Sequence, residues 1–111
     1  MYITKSAKDF FQDDLDVMLN LEEFAEERNI DGTILNVVID NDRLQERAKK
    51  EYEGIYVGDI LYYAKVSDYK ENNMKKPKPD SIQSFNRKQY IVFDIREDNG
   101  LYEIILKYNG N

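Results

Sequence analysis

The stretch QYIVFDIREDNGLYEIILKY, residues 89–108, decides the fold. Asn99-Gly100 is a dipeptide favoured in two-residue type I′ hairpin turns, where both central residues need positive φ. Placing the turn there pairs Asp98 with Leu101 and fixes the register that follows. Ile95 then faces Ile104, Phe93 faces Leu106 and Ile91 faces Tyr108. On the opposite face Arg96 meets Glu103. Apolar pairs on one side and an ion pair on the other are what a half-buried hairpin requires.

Upstream of this hairpin, Ser81–Phe85 reads as a short strand that turns at Asn86-Arg87. Before it, residues 68–80 form a polar, basic segment that holds both prolines of the chain. At 13 residues it exceeds most connections in compact domains, so it is expected as a flexible loop. Its Lys70, Met74, Lys75, Lys76 and Lys78 make it the candidate assembly loop. Ile55–Val57 and Ile60–Val66 flank Gly58-Asp59, which predicts a tight hairpin. Asn41–Tyr52 is polar and helix-permissive, either a single helical turn or a long loop. Thr33–Asp40 alternates, with Leu35, Val37 and Ile39 on one face of a strand.

The N-terminal part reads as helix. Ser6 and Asp9 have capping-box spacing, and Phe11, Leu15 and Met18 form an apolar stripe. Asn20 with Glu23 opens a second short helix, whose buried side is Leu21, Phe24 and Ala25. Asn29 is expected to end it, Ile30 to fold back onto it, and Asp31-Gly32 to turn. The expected fold is therefore α+β and mainly β, within a single domain spanning 1–111. One or two N-terminal helices in residues 6–29 precede five to six short strands in residues 33–108. Closely spaced antiparallel strands of this kind form a small β-barrel or sandwich.

Composition narrows the function. The chain has 111 residues, no cysteine and no histidine. That excludes disulfides, thiolate metal sites and every serine–histidine or cysteine–histidine nucleophile system. No phosphate-cradling GxxxxGK[ST] or GxGxxG motif is present. No apolar run approaches the ~20 residues that span a bilayer, and the chain is expected to be cytoplasmic when made. The net charge of −6 is uneven. Residues 1–60 hold seven Lys/Arg against fifteen Asp/Glu, and residues 61–111 hold nine against seven. A net acidic chain does not attract duplex phosphates by charge.

The carboxylates carry little chemistry. Asp40, Asp42 and Glu51 match three positions of a calcium loop, but Gln45 stands where its glycine belongs. Asp94 and Glu103 lie on neighbouring strands, and a solvated strand face is the expectation for them. The same holds for the acidic face of Asp9, Asp13, Asp16, Glu22, Glu23, Glu26 and Glu27, with electrostatic docking as the alternative. A basic loop and an acidic face on one chain allow head-to-tail pairing into a ring. The residues alone thus lead to a binding domain without cofactors, catalytic residues or metal ligands.

Several segments carry a resemblance: VMLNLEEFAEERNIDG (17–32), VVIDND (37–42), Tyr52-Glu53-Gly54-Ile55-Tyr56, LYYAKVSD (61–68) and QYIVFDIREDNGLYEIIL (89–106). In this order and spacing the chain resembles the small head–tail joining proteins, also called head-completion or stopper proteins, of long-tailed phages and Gram-positive prophages. It departs from them at Arg28, often His, at Asp80, often Gly, and at Asn86-Arg87, often Asp-Gly. The resemblance implies a non-enzymatic β-barrel forming a ring, commonly of six copies, beneath the portal and its adaptor. Its partners would be the portal, adaptor and tail proteins and further copies of itself. Channel DNA would be touched only passively, and no membrane or small-molecule substrate is implied. The location implied is the cytoplasm during assembly and then the head–tail junction of the virion. The alternative expectation is a prophage or host regulatory module that binds one protein partner; a carboxylate-dependent metal enzyme is a third.

Overall fold

The computed structural model describes residues 23–110. Six strands, β1 (Glu26–Ile30), β2 (Thr33–Ile39), β3 (Ile60–Lys65), β4 (Ile82–Phe85), β5 (Lys88–Asp98) and β6 (Leu101–Tyr108), close into an antiparallel barrel. Their order around it is β1-β2-β3-β6-β5-β4. Helix α1 (Asn41–Glu51) follows β2, and the short α2 (Val66–Glu71) follows β3. The mainly β barrel expected from the sequence is thus observed. The described helices follow β2 and β3 in the chain; of the expected helical part, residues 6–22, with Phe11, Leu15, Met18 and Leu21, lie outside the described residues.

Three two-residue turns set the hairpins. Asp31-Gly32, Asn86-Arg87 and Asn99-Gly100 all have positive φ at both positions, as type I′ geometry requires. Arg87 adopts φ 70° without glycine's freedom, which costs on the order of 1 kcal/mol. The Asp31-Gly32 turn corrects the N-terminal reading. Residues 26–29, expected to finish a helix, are strand β1, paired from Glu26↔Val37 to Ile30↔Thr33. Phe24, expected on a buried helix side, is 63% exposed. Glu and Arg favour helix locally, but the hairpin supplies β1 with a full set of cross-strand pairs. Tertiary pairing overrides the weak propensity.

The barrel interior is filled by Ile30, Leu35, Val37, Tyr62, Ala64, Phe85, Val92, Tyr102, Ile104 and Leu106. A second cluster lies outside the barrel wall, where Leu44, Ala48 and Val57 cover Leu61, Tyr63 and Ile105. β3 and the middle of β6 are therefore buried on both faces, which is why they read as nearly continuous apolar runs. Asn41–Glu51, where the sequence allows one helical turn or a loop, is an eleven-residue helix. Leu44, Arg47 and Ala48 share its buried side, and the Asp40 side chain caps it by accepting the Arg43 N–H at 3.0 Å.

A β-bulge changes the register read for the C-terminal hairpin. Asp98↔Leu101, Arg96↔Glu103, Ile95↔Ile104 and Asp94↔Ile105 pair as expected, but Val92, not Phe93, pairs with Leu106. Phe93 is the extra residue. Ile91 consequently pairs with Lys107, and Tyr90 with Tyr108. The bulge puts Phe93 and Asp94 together on the side covered by α1, where the Phe93 ring meets Tyr52 edge-on at 5.4 Å.

The hairpin predicted around Gly58-Asp59 does not form. Ile55–Asp59 is an irregular connection, and β3 pairs with β2 and β6 instead. Gly58 serves a different purpose: a Cβ there would lie 2.6 Å from Ile105 Cγ2 and 2.9 Å from the Leu106 carbonyl oxygen. The backbone itself must approach β6 so that the Asp59 N–H can donate to that oxygen at 2.8 Å. Gly58→Ala is therefore expected to destabilise the chain by about 1–3 kcal/mol, measured by urea unfolding, since the clash is partly with main chain.

Candidate functional site

Asp94 and Glu103, expected on a solvated face, sit beneath α1 and surround Arg47. Arg47 is 1% exposed although it comes from a mostly polar stretch. Its Nη2 meets Asp94 Oδ2 at 2.5 Å, its Nη1 meets Glu103 Oε2 at 2.8 Å, and its Nε lies 3.3 Å from both Glu51 carboxylate oxygens. Arg96 adds a second bond to Glu51 at 2.6 Å, and Arg43 stands 3.6 Å from Glu103. The expected Arg96–Glu103 ion pair is thus replaced: both residues pair across strands, but each takes partners from the helix side. Burial opposes the charge on Arg47, yet its hydrogen bonds to Asp94 and Glu51 raise its pKa further. For Glu51, burial is likewise outweighed by Arg47 and Arg96, which hold it below its ordinary value of 4.5.

This cluster fastens α1 to the bulge. It offers no free carboxylate pair for acid–base chemistry, since each oxygen set already faces a guanidinium. Asp40 and Glu51, two of the calcium-loop matches, flank opposite ends of α1, an eleven-residue helix about 16 Å long. They cannot ligate one ion. Among the described residues, no group of three acidic side chains is placed to hold a metal.

The candidate assembly loop lies at one end of the barrel, with the β1–β2 turn, α2 and the β5–β6 turn. Residues 68–71, expected to begin a loop, complete α2, where Lys70 is exposed and Tyr69 is buried. Tyr69 anchors the segment inside the barrel through a hydroxyl–hydroxyl bond of 2.9 Å to Tyr62. Tyr62 in turn donates to the buried Gln83 side chain at 2.5 Å. Burial raises the pKa of both tyrosines, so both remain neutral donors. Met74 packs against the core, and its N–H bonds the Tyr69 carbonyl at 2.8 Å. Lys76 reaches Glu97 at 3.2 Å and lies over the Tyr102 ring. Lys75, Lys76 and Lys78, with Met74, Asp31, Ile82 and Gln83, line an open cleft of ≈ 370 Å³. The structure thus brings four of the five candidate residues together and leaves Lys70 apart on α2.

The other end differs in character. Ile39 closes β2, Tyr108 closes β6, and Ile55 and Tyr56 lie in the connection that enters β3. These four apolar side chains are exposed, three of them by more than half. Asp59 organises them by accepting the Tyr56 hydroxyl at 2.5 Å and the Tyr108 N–H at 2.7 Å. Burial and the bond to Asp59 push the Tyr56 hydroxyl up to about 12. The Lys107 ammonium lies 5.7 Å from the Tyr56 ring centre. This rim was not singled out from the sequence; exposed apolar residues in a non-strand segment were its signal, concealed by the hairpin assignment.

No family model matches the chain, and no curated protein matches it. Among solved structures it is similar to one described as an ATP-binding sugar transporter-like protein from Salmonella typhimurium. The two share 19% identity over 93% of each chain, with a TM-score of 0.48. Among the described residues, no helix is long and apolar enough to cross a membrane.

Two outcomes follow from the Arg47 cluster. Arg47→Ala strands three carboxylates beneath α1 and is expected to cost about 3–5 kcal/mol in chemical denaturation. The contribution of Glu51, whose folded pKa is depressed, is fully present above its ordinary 4.5 and lost as pH falls through the folded value. Melting temperature is therefore expected to fall with acidification below about pH 4.5, and Glu51→Gln to flatten that fall.

Proposed function

We propose that this chain is a non-enzymatic head–tail connector of a long-tailed phage or prophage. In this reading it forms a ring between the portal–adaptor assembly and the tail, and closes the DNA channel. The observation that carries the proposal is the chemical contrast between the two ends of one closed barrel. A connector needs two different docking surfaces held at a fixed distance. Here an exposed aromatic and aliphatic rim stands at one end, and a lysine-lined cleft at the other. Tyrosine is among the residue types enriched at the positions that dominate binding energy in protein interfaces. The ordered motifs from Val17 to Leu106 add their resemblance to head-completion proteins.

The remaining features agree with this reading. The carboxylate cluster is spent on fastening α1, which suits a structural part more than a catalyst. Net negative charge suits the wall of a conduit, because strong phosphate binding would hold DNA back. The ring is proposed to have six copies, assembled on the portal side, with the tail as the second partner.

Electron microscopy of the chain mixed with the portal–adaptor complex of the same genome tests the proposal. A ring added beneath the adaptor is expected. Components that stay separate across salt and protein concentration would overturn it and favour a regulatory module with one soluble partner. The double variant Tyr56→Ala, Tyr108→Ala is expected to weaken ring incorporation by at least about tenfold while retaining the wild-type fold by circular dichroism.

A further inference from the structure

The lysine-lined cleft defines its own occupant. Met74 and Ile82 give it apolar wall, and Lys75 and Lys78 give it charge. Lys76 is already engaged by Glu97 at 3.2 Å. Among the described residues, neither Lys75 nor Lys78 has a carboxylate within ion-pair distance. Asp31 also lines the cleft, with one carboxylate oxygen taken by the Ser84 N–H at 2.8 Å. Gln83 at its floor is committed to Tyr62 and Tyr69. An occupant that brings carboxylates for these two exposed lysines and apolar side chains for Met74 and Ile82 complements the cleft. At ≈ 370 Å³ the cleft takes a few side chains of one segment rather than a domain.

The chain contains a segment of that chemistry. Residues 9–22, DFFQDDLDVMLNLE, hold five carboxylates and no lysine or arginine, interleaved with Phe10, Phe11, Leu15 and Met18. They lie outside the described residues, but the place where they join the barrel is defined. They lead into β1 at Glu26, and β1 begins at the rim end. The cleft is at the opposite end, so the segment joins each barrel away from that barrel's own cleft. The geometry points to a contact between copies: the acidic segment 9–22 of one copy docks in the lysine cleft of the next. Such a contact is heterologous, and it closes into a ring when its rotation permits. It rests on the connector reading for its biological setting and specifies how neighbouring copies recognise one another. Charge provides the selection, so the contact weakens as salt shortens the screening length.

The absence of cysteine makes the test clean. One preparation carries Asp14→Cys, a second carries Lys75→Cys, and the two are mixed under mild oxidation. The mixed disulfide dimer is expected to form at least about tenfold faster than with a control Lys49→Cys on the exposed side of α1, because a disulfide requires Cα atoms within about 7 Å. Adding Lys78→Glu to the cleft preparation is expected to slow it at least about fivefold, and Asp13→Lys with Asp16→Lys on the partner to restore it. Equal rates for cleft and control would overturn the inference. So would a doubly substituted chain that closes a disulfide within itself and leaves no mixed dimer, since the occupant would then be its own segment. Rings on the portal–adaptor that form unimpaired with Lys75→Glu and Lys78→Glu would remove this contact and leave the connector reading intact. A rapid mixed disulfide without any ring would remove the connector reading and leave the contact.

Discussion

A buried guanidinium holds this architecture in register. Arg47 reaches from α1 to the bulge on β5 and to the middle of β6, and three carboxylates neutralise it there. Buried ion pairs contribute little net stability compared with apolar residues of equal size, but they tolerate few alternative arrangements. Asp94 keeps the register set by the turn, paired with Ile105 on the face covered by α1, and the bulge at Phe93 begins directly beside it. The bulge in turn determines which face of β5 looks into the barrel. Helix position and the pairing of β5 with β6 thus meet at one side chain, and the adjacent bulge sets which residues of the first half of β5 fill the core.

That coupling explains where sequence reading succeeds. The turn chemistry at Asn99-Gly100 and Asn86-Arg87 is local, and the strands around both follow from it directly. The pairing nearest the Asn99-Gly100 turn is legible for the same reason. Beyond Asp94 the reading slips by one residue, because a bulge leaves no mark in an unbroken run such as Tyr90–Ile95. β1 is misread because Glu26, Glu27 and Arg28 favour helix and its strand character comes from pairing with β2 and, at Ile30, with β4. The expected hairpin at Gly58-Asp59 fails for a related reason. Gly58 marks a close approach to β6, and glycine in a sequence does not distinguish a turn from a contact.

The candidate site was legible in part. The lysine-rich segment stands out by composition, and its role as a cleft wall needs only the position of α2. Its floor was hidden. Gln83 and Tyr62 are unremarkable in the sequence, and their bonding with Tyr69 appears only when three distant segments meet inside the barrel. Arg47 was concealed in another way. Among eleven mostly polar residues, its burial is signalled only by its spacing from Leu44 and Ala48.

The strand order carries a cost for the newly made chain. β3 finds most of its pairing in β6, joining residues 60–65 to residues 101–106. Neighbouring hairpins close within microseconds, but a ladder across so long a loop is slower, because the closure entropy comes first. During synthesis β3 also emerges on the order of seconds before its partner. In that interval the sequence ILYYAK, which is covered on both faces in the finished barrel, has neither cover. The segment that makes the core dense is therefore the one most prone to wrong association while the protein is being made.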